Sequence, residues 1–227
     1  MFDGLYLFEW VLMALGVILF IVLVIGFFYQ LTHKGNVGVL LGFFMVPIAM
    51  IGYPSLQSIQ ISDGKVSLEK KADAVLSNPA DSTARKELQQ QVEKLSSRPF
   101  SDPATLTVLS KAEFALGNDQ AAKNNLEKAL QKDPQLPAAK QLQIKIDSLD
   151  RLAPLTAQVK SNPTDEKAKA ELNQTLNTVA QQPVANPAAL LKVADAQSAL
   201  GDHAKAEKNI EIVRKINPKL VMAPTHP

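Results

Sequence analysis

The sequence predicts an all-α protein: a two-helix transmembrane hairpin followed by an α-solenoid built from a tandem duplication. Three observations carry that prediction. Two long apolar runs lie within residues 1–54, while the rest of the chain is rich in Ala, Gln, Asn, Lys and Ser. A segment then recurs without a gap: Ser77-Asn78-Pro79 returns as Ser161-Asn162-Pro163, and 161 − 77 = 84. The same offset carries Glu87-Leu88 to Glu171-Leu172, Pro103 to Pro187, Ala115-Leu116-Gly117 to Ala199-Leu200-Gly201, and Pro134 to Pro218. Finally, apolar residues within each copy follow helical spacing, as at Ala84, Leu88, Val92 and Leu95. Duplicated helical units stack into quasi-one-dimensional solenoids that present binding surfaces.

Residues 1–54 read as a membrane anchor with spans at about 5–29 and 37–53. A helix needs about 20 apolar residues to cross the hydrocarbon core. The first run meets this and is bracketed by Trp10 and Tyr29, amphipathic aromatics suited to two interfaces. A cleavable signal peptide would carry positive charge before the run and small residues after it. Here Asp3 and Glu9 precede it and Phe27-Phe28-Tyr29-Gln30 follow. Glu9 reads as an interfacial carboxylate, with an intramembrane proton or ion ligand as the alternative. The turn at 30–36 carries His33 and Lys34. The second run holds Pro47 and ends at Pro54, and its Gly38 and Gly42 are spaced to admit another helix closely.

Lys34 follows the first span, so the turn is expected in the cytoplasm and the repeat domain outside it. That places the chain in a plasma (inner) membrane as a two-pass protein, with its large domain on the periplasmic side. Lys65, Lys70 and Lys71 argue the other way from beyond the second span. Residues 55–67 are expected to form a linker. They alternate apolar and polar side chains around Asp63-Gly64, the pattern of a short hairpin or of a single extended stretch.

The repeat domain divides into units at 68–151 and 152–220, followed by a loose tail at 221–227. Within the first unit, Asp81 is a candidate helix cap, and Ser101-Asp102-Pro103 places a cap ahead of a proline at the first helical position. Gly117-Asn118 and Asp133-Pro134 mark helix stops.

The stretch from Pro103 to Pro134, and its copy from Pro187 to Pro218, resembles a tetratricopeptide repeat. The matching positions are a small residue where paired helices cross (Ser110, Ala194) and a turn glycine (Gly117, Gly201). They continue with a small residue in the second helix (Ala122, Ala206), large apolar residues (Leu126, Ile210) and a terminating proline (Pro134, Pro218). Two family aromatics are replaced, by Glu113 or Gln197 and by Asp119 or His203. The resemblance implies a right-handed superhelix that binds peptides from a protein partner. By position it implies a groove carrying Thr107, Lys111 and Phe114, and Leu191, Asp195 and Ser198. For Phe114 and Leu191 the favoured reading is burial against the neighbouring hairpin, since apolar residues at helical spacing are usually core.

Nothing in the chain suggests catalysis or a cofactor. It lacks cysteine, and its histidines, His33, His203 and His226, share no ligand spacing. No phosphate-binding glycine loop or nucleophile motif is present. The 24 basic and 22 acidic residues leave a net charge of +2, and basic residues do not cluster with aromatics, which disfavours nucleic acid. The expected role is therefore a membrane-anchored scaffold or assembly factor that binds a protein partner through its helical repeats. The alternative is a structural subunit of a larger membrane complex, packed by its spans against other transmembrane helices and lipid.

Overall fold

The computed structural model describes residues 4–32 and 41–222. The expected His33–Lys34 turn, Gly38 and the last five tail residues lie outside them. All regular structure in the described residues is helical, and the chain divides into two compact units. One comprises Met1–Lys65 with Leu95–Ser101, and the other comprises Val66–Lys94 with Asp102–Pro227.

The first unit is built on α1 (Leu7–Thr32) and the first two-thirds of α2 (Met45–Ser77). Two helical stretches, Leu7–Thr32 and Leu41–Ser77, are long and apolar enough to cross a membrane. In α1 only 6% of the most apolar window is buried, so this is no soluble core helix. Leu15, Val17, Ile18, Phe20 and Ile25 stand exposed on several sides of it.

The close approach expected at Gly42 occurs elsewhere. A Cβ on Gly42 would meet nothing within 4 Å, whereas one on Gly16 would lie 2.9 Å from Ile51 Cγ1 and 3.0 Å from Met50 Cβ. Gly16 therefore lets α1 and α2 touch. Phe44 locks the same pairing with edge-on contacts to Phe20 and Phe27, at centroid distances of 5.6 and 6.4 Å.

The linker hairpin expected at 55–67 is corrected, and the helix that carries the second apolar run continues past residue 53. Residues 45–77 form one helix that runs through Pro54, Asp63 and Gly64. Its buried positions, Pro54, Ser58, Ile61, Gly64, Leu68, Ala72 and Val75, advance by three or four residues, the spacing of one helical face. Extending an existing helix avoids the cost of nucleating a new element, and an isolated two-stranded hairpin has little stability of its own. The Ser55 hydroxyl bonds the Ile51 carbonyl at 2.8 Å beside the proline.

Glu9 is 1% exposed. Its carboxylate accepts the Tyr6 backbone N–H at 2.7 Å and faces Arg98 Nη1 at 3.3 Å. Arg98 also donates to Gln57 and stacks over the Tyr6 ring, while Lys65 covers Phe100. Positive φ at Gly4 and the Phe100 ring 2.4 Å from its virtual Cβ bring the chain's start against the 95–101 segment.

The second unit starts with the end of α2 and α3 (Ser82–Ser96). It continues through α4 (Pro103–Leu116), α5 (Asp119–Lys132), α6 (Pro137–Ser161), α7 (Glu166–Ala180), α8 (Pro187–Ala199), α9 (His203–Ile216) and the short α10 (Pro218–Met222). Short connections make α4–α5, α6–α7 and α8–α9 antiparallel neighbours, and α6 also packs on α8. Helix starts and ends recur at the offset seen in the sequence. The ranges 82–96 and 166–180 correspond, as do 119–132 and 203–216. The caps correspond too. Asp81 and Asp165 accept from the backbones of Ala84 and Ala168, and Asp102 and Asn186 cap α4 and α8. Gly117 and Gly201, at φ 96° and 85°, make matching left-handed turns.

The boundary expected between 151 and 152 falls inside α6. Leu149, Leu152, Leu155 and Val159 bury one continuous face across that boundary. Pro154 sits on the opposite, exposed face, and its missing N–H leaves the Asp150 carbonyl without a helical donor. Residues 221–222 end α10 instead of belonging to a tail.

Candidate functional site

The six residues expected to line one groove do not come together. Thr107 is buried, with its hydroxyl bonded to the Pro103 carbonyl at 2.8 Å. Phe114 is buried in a cluster with Ala139, Leu142 and Ile146 of α6. Lys111 bonds Asp73 at 2.6 Å. Three helix-face positions that counting along α4 leaves open are thus covered or paired by neighbouring helices.

Their counterparts on α8 behave differently. Leu191, Asp195 and Ser198 line an open groove of about 500 Å³, bounded by Ala206, Glu207 and Ile210 of α9 and by Leu220 of α10. Asp195 bonds Lys160 of α6, and Ser198 lies 3.4 Å from His203 Nδ1.

A larger trough of about 850 Å³ lies on another side of the unit, between α7, α8 and α9. Counting from the first helix of each hairpin misses it, because its lining comes largely from α7. Its floor is apolar, with Leu176, Leu190, Val193 and Ile212. Its walls carry the amides Asn173, Asn177, Gln197 and Asn209, and Asn209 Nδ2 already donates to Gln197 Oε1 at 2.8 Å. Each amide offers a donor and an acceptor, which is what a peptide backbone requires of a binding wall. The signal in the sequence was Asn173 and Asn177, four apart on one helix face.

The ion pairs between hairpins centre on Asp150 of α6. It accepts from Lys123 of α5 at 2.7 Å and from Lys192 of α8 at 2.9 Å. Partial burial raises its pKa, but the two ammonium groups outweigh that and hold it below the usual carboxylate value. The Asp150 bond in turn raises Lys123. Lys145 differs: it is buried, with its ammonium on the Pro183 carbonyl, and burial together with nearby Lys111 lowers its pKa to about 8. Arg85 of α3 donates to the carbonyls of Leu116 at 3.3 Å and Ala185 at 3.1 Å, closing two backbone ends. Among the described residues no cluster of His, Cys, Asp and Glu could hold a metal ion.

Comparison with protein-family models, curated proteins and solved structures finds no match to this chain. Fold and surface alone define it: the described residues are helical in all their regular structure, with two helices long and apolar enough to cross a membrane and a grooved helical unit.

Proposed function

We propose that this chain is a membrane-anchored scaffold or assembly factor. Its second unit is a tetratricopeptide-like solenoid, made by duplication of an 84-residue segment, that holds a segment of a protein partner. The amide-walled trough of α7, α8 and α9 carries this reading: an apolar floor takes side chains while Asn173 and Asn177 bond the partner's backbone. Support for the duplication comes from helix ends, caps and positive-φ glycines recurring at one offset. The two spans sit in a plasma (inner) membrane with the repeat unit on its periplasmic side, and the role is binding without catalysis.

The test is a photo-crosslinking amino acid at position 177 in native membranes, with position 128 on the exposed face of α5 as control. A discrete adduct from 177 alone is expected. No adduct, or the same adducts from 128, would overturn the reading. Protease digestion of the repeat unit in intact spheroplasts checks the sidedness, and protection until lysis reverses it.

A second reading has its own observation. The aliphatic side chains exposed on the sides of α1 away from α2 suit other membrane helices as well as lipid, as in a structural subunit of a larger complex. Its mark is co-purification in fixed ratio with other membrane proteins, with crosslinks from position 18 of α1.

A further inference from the structure

The first half of the second unit shows what its second half lacks. The surface made by α4 and α5 is covered by the next helix in the chain, α6. Phe114 and Leu126 are 7% and 5% exposed there, in one cluster with Ala139, Leu142 and Ile146 of α6. Lys123 of α5 clasps Asp150 of that same helix at 2.7 Å. At the same offset, α8 and α9 present Ser198, Ile210 and Glu207, and all three line the open groove. Among the described residues only α10, five residues long, follows them, and its Leu220 is 38% exposed at the rim.

We propose that this groove docks an amphipathic helix of another protein, seated as α6 is seated on α4 and α5. That helix carries lysine or arginine where α6 carries Asp150. The charge follows from the lining. Where the first half offers Lys123, the second offers Glu207, an exposed carboxylate whose nearest cation, Arg214, is 3.7 Å away. The other charges at the groove are already matched, Asp195 by Lys160 and Lys192 by Asp150. The helical form follows from the precedent of α6, which meets the equivalent surface with Ala139, Leu142 and Ile146 at helical spacing. A second copy of this chain is a poor occupant, because its own α6 would set Asp150 against Glu207 and like charges oppose each other.

The inference deepens the partner-docking reading by giving the partner a chemistry, and it rests on that reading for the partner's existence. The test uses the purified full chain in detergent micelles and two labelled peptides spanning Leu136–Ala153. Both are stapled into helices on the face away from the groove, because a short free helix frays in water. One keeps Asp150, and the other carries Asp150→Lys. Fluorescence anisotropy should show the lysine peptide binding about fivefold more tightly or better, since repulsion is exchanged for attraction. The variant Glu207→Lys should reverse the order of the two peptides with its circular dichroism unchanged. Equal binding by the two peptides, no reversal by Glu207→Lys, or no binding by either would overturn the proposal. An adduct at position 177 that persists alongside such a failure would leave the scaffold reading standing, and loss of both would remove both.

Discussion

The α4–α5 hairpin is closed over and the α8–α9 hairpin is open, although their helices start and stop at matched positions. Phe114 and Ser198, Leu126 and Ile210, and Lys123 and Glu207 are pairs separated by the same offset of 84 residues. In the first half the aromatic, the leucine and the lysine meet α6, and in the second half their replacements line a groove. What separates the two is the next helix rather than the local structure. In a repeat array each unit's exposure is decided by its neighbour.

The sharpest way to break this comparison is to truncate the same position in both halves. Phe114→Ala should cost about 3–5 kcal/mol, because a buried aromatic leaves a cavity among Ala139, Leu142 and Ile146. Ser198→Ala at the partly exposed counterpart should stay within about 0.5 kcal/mol. Denaturant unfolding of the two variants reads the contrast, and equal costs would mean that α6 does not seal the first groove.

The next effect is a pH dependence carried by Lys145 of α6. Lys145 is held near pKa 8, below the usual lysine value of 10.5, so between those pH values the unfolded chain binds the extra proton. Below pH 8 the charged lysine is buried and its full penalty is present, and as pH rises towards 10.5 the penalty is relieved. The gap corresponds to about 3 kcal/mol. Stability of the wild type measured relative to Lys145→Met should therefore rise between pH 8 and 10.5 by that order. A flat difference would place the ammonium in water.

Ala122 is fully buried where paired helices cross, and the Ser110 hydroxyl bonds its carbonyl at 2.7 Å. Overpacking by Ala122→Leu should cost about 1–3 kcal/mol, and the melt should lose cooperativity before it loses all helix. An unchanged melting curve would show the crossing to be loose.

The smallest effect has the opposite sign. Thr156 is 2% exposed with its hydroxyl unbonded, at the place where the first half has Ala72. Thr156→Val keeps the shape and removes the orphaned hydroxyl, so stability should rise by about 1 kcal/mol. A loss of stability on denaturation would reveal a hydrogen bond at that hydroxyl.

Much of this architecture was legible because it is written in local chemistry. Helix stops at glycine and proline, Asp and Asn caps, and apolar spacing act within a few residues, so Asp81, Asp102 and Gly117 announced their roles. The hairpin expected at 55–67 was not legible correctly. Ile61 and Leu68 satisfy an alternating pattern and a helical one, and only continuity with the preceding helix decides between them. The groove residues were half legible. Counting on α8 found Leu191, Asp195 and Ser198, yet the identical count on α4 put Thr107 and Phe114 on a surface that α6 and its neighbours bury.

By itself the sequence determined the helical class, the two apolar stretches, the 84-residue offset and the caps, because each depends on residue type and near spacing. The tertiary structure alone decided that Glu9 meets Arg98, that Gly16 rather than Gly42 admits the second helix, and which hairpin is left open. Those outcomes join residues far apart in the chain, and burial at any one position is set by whichever distant helix arrives to cover it.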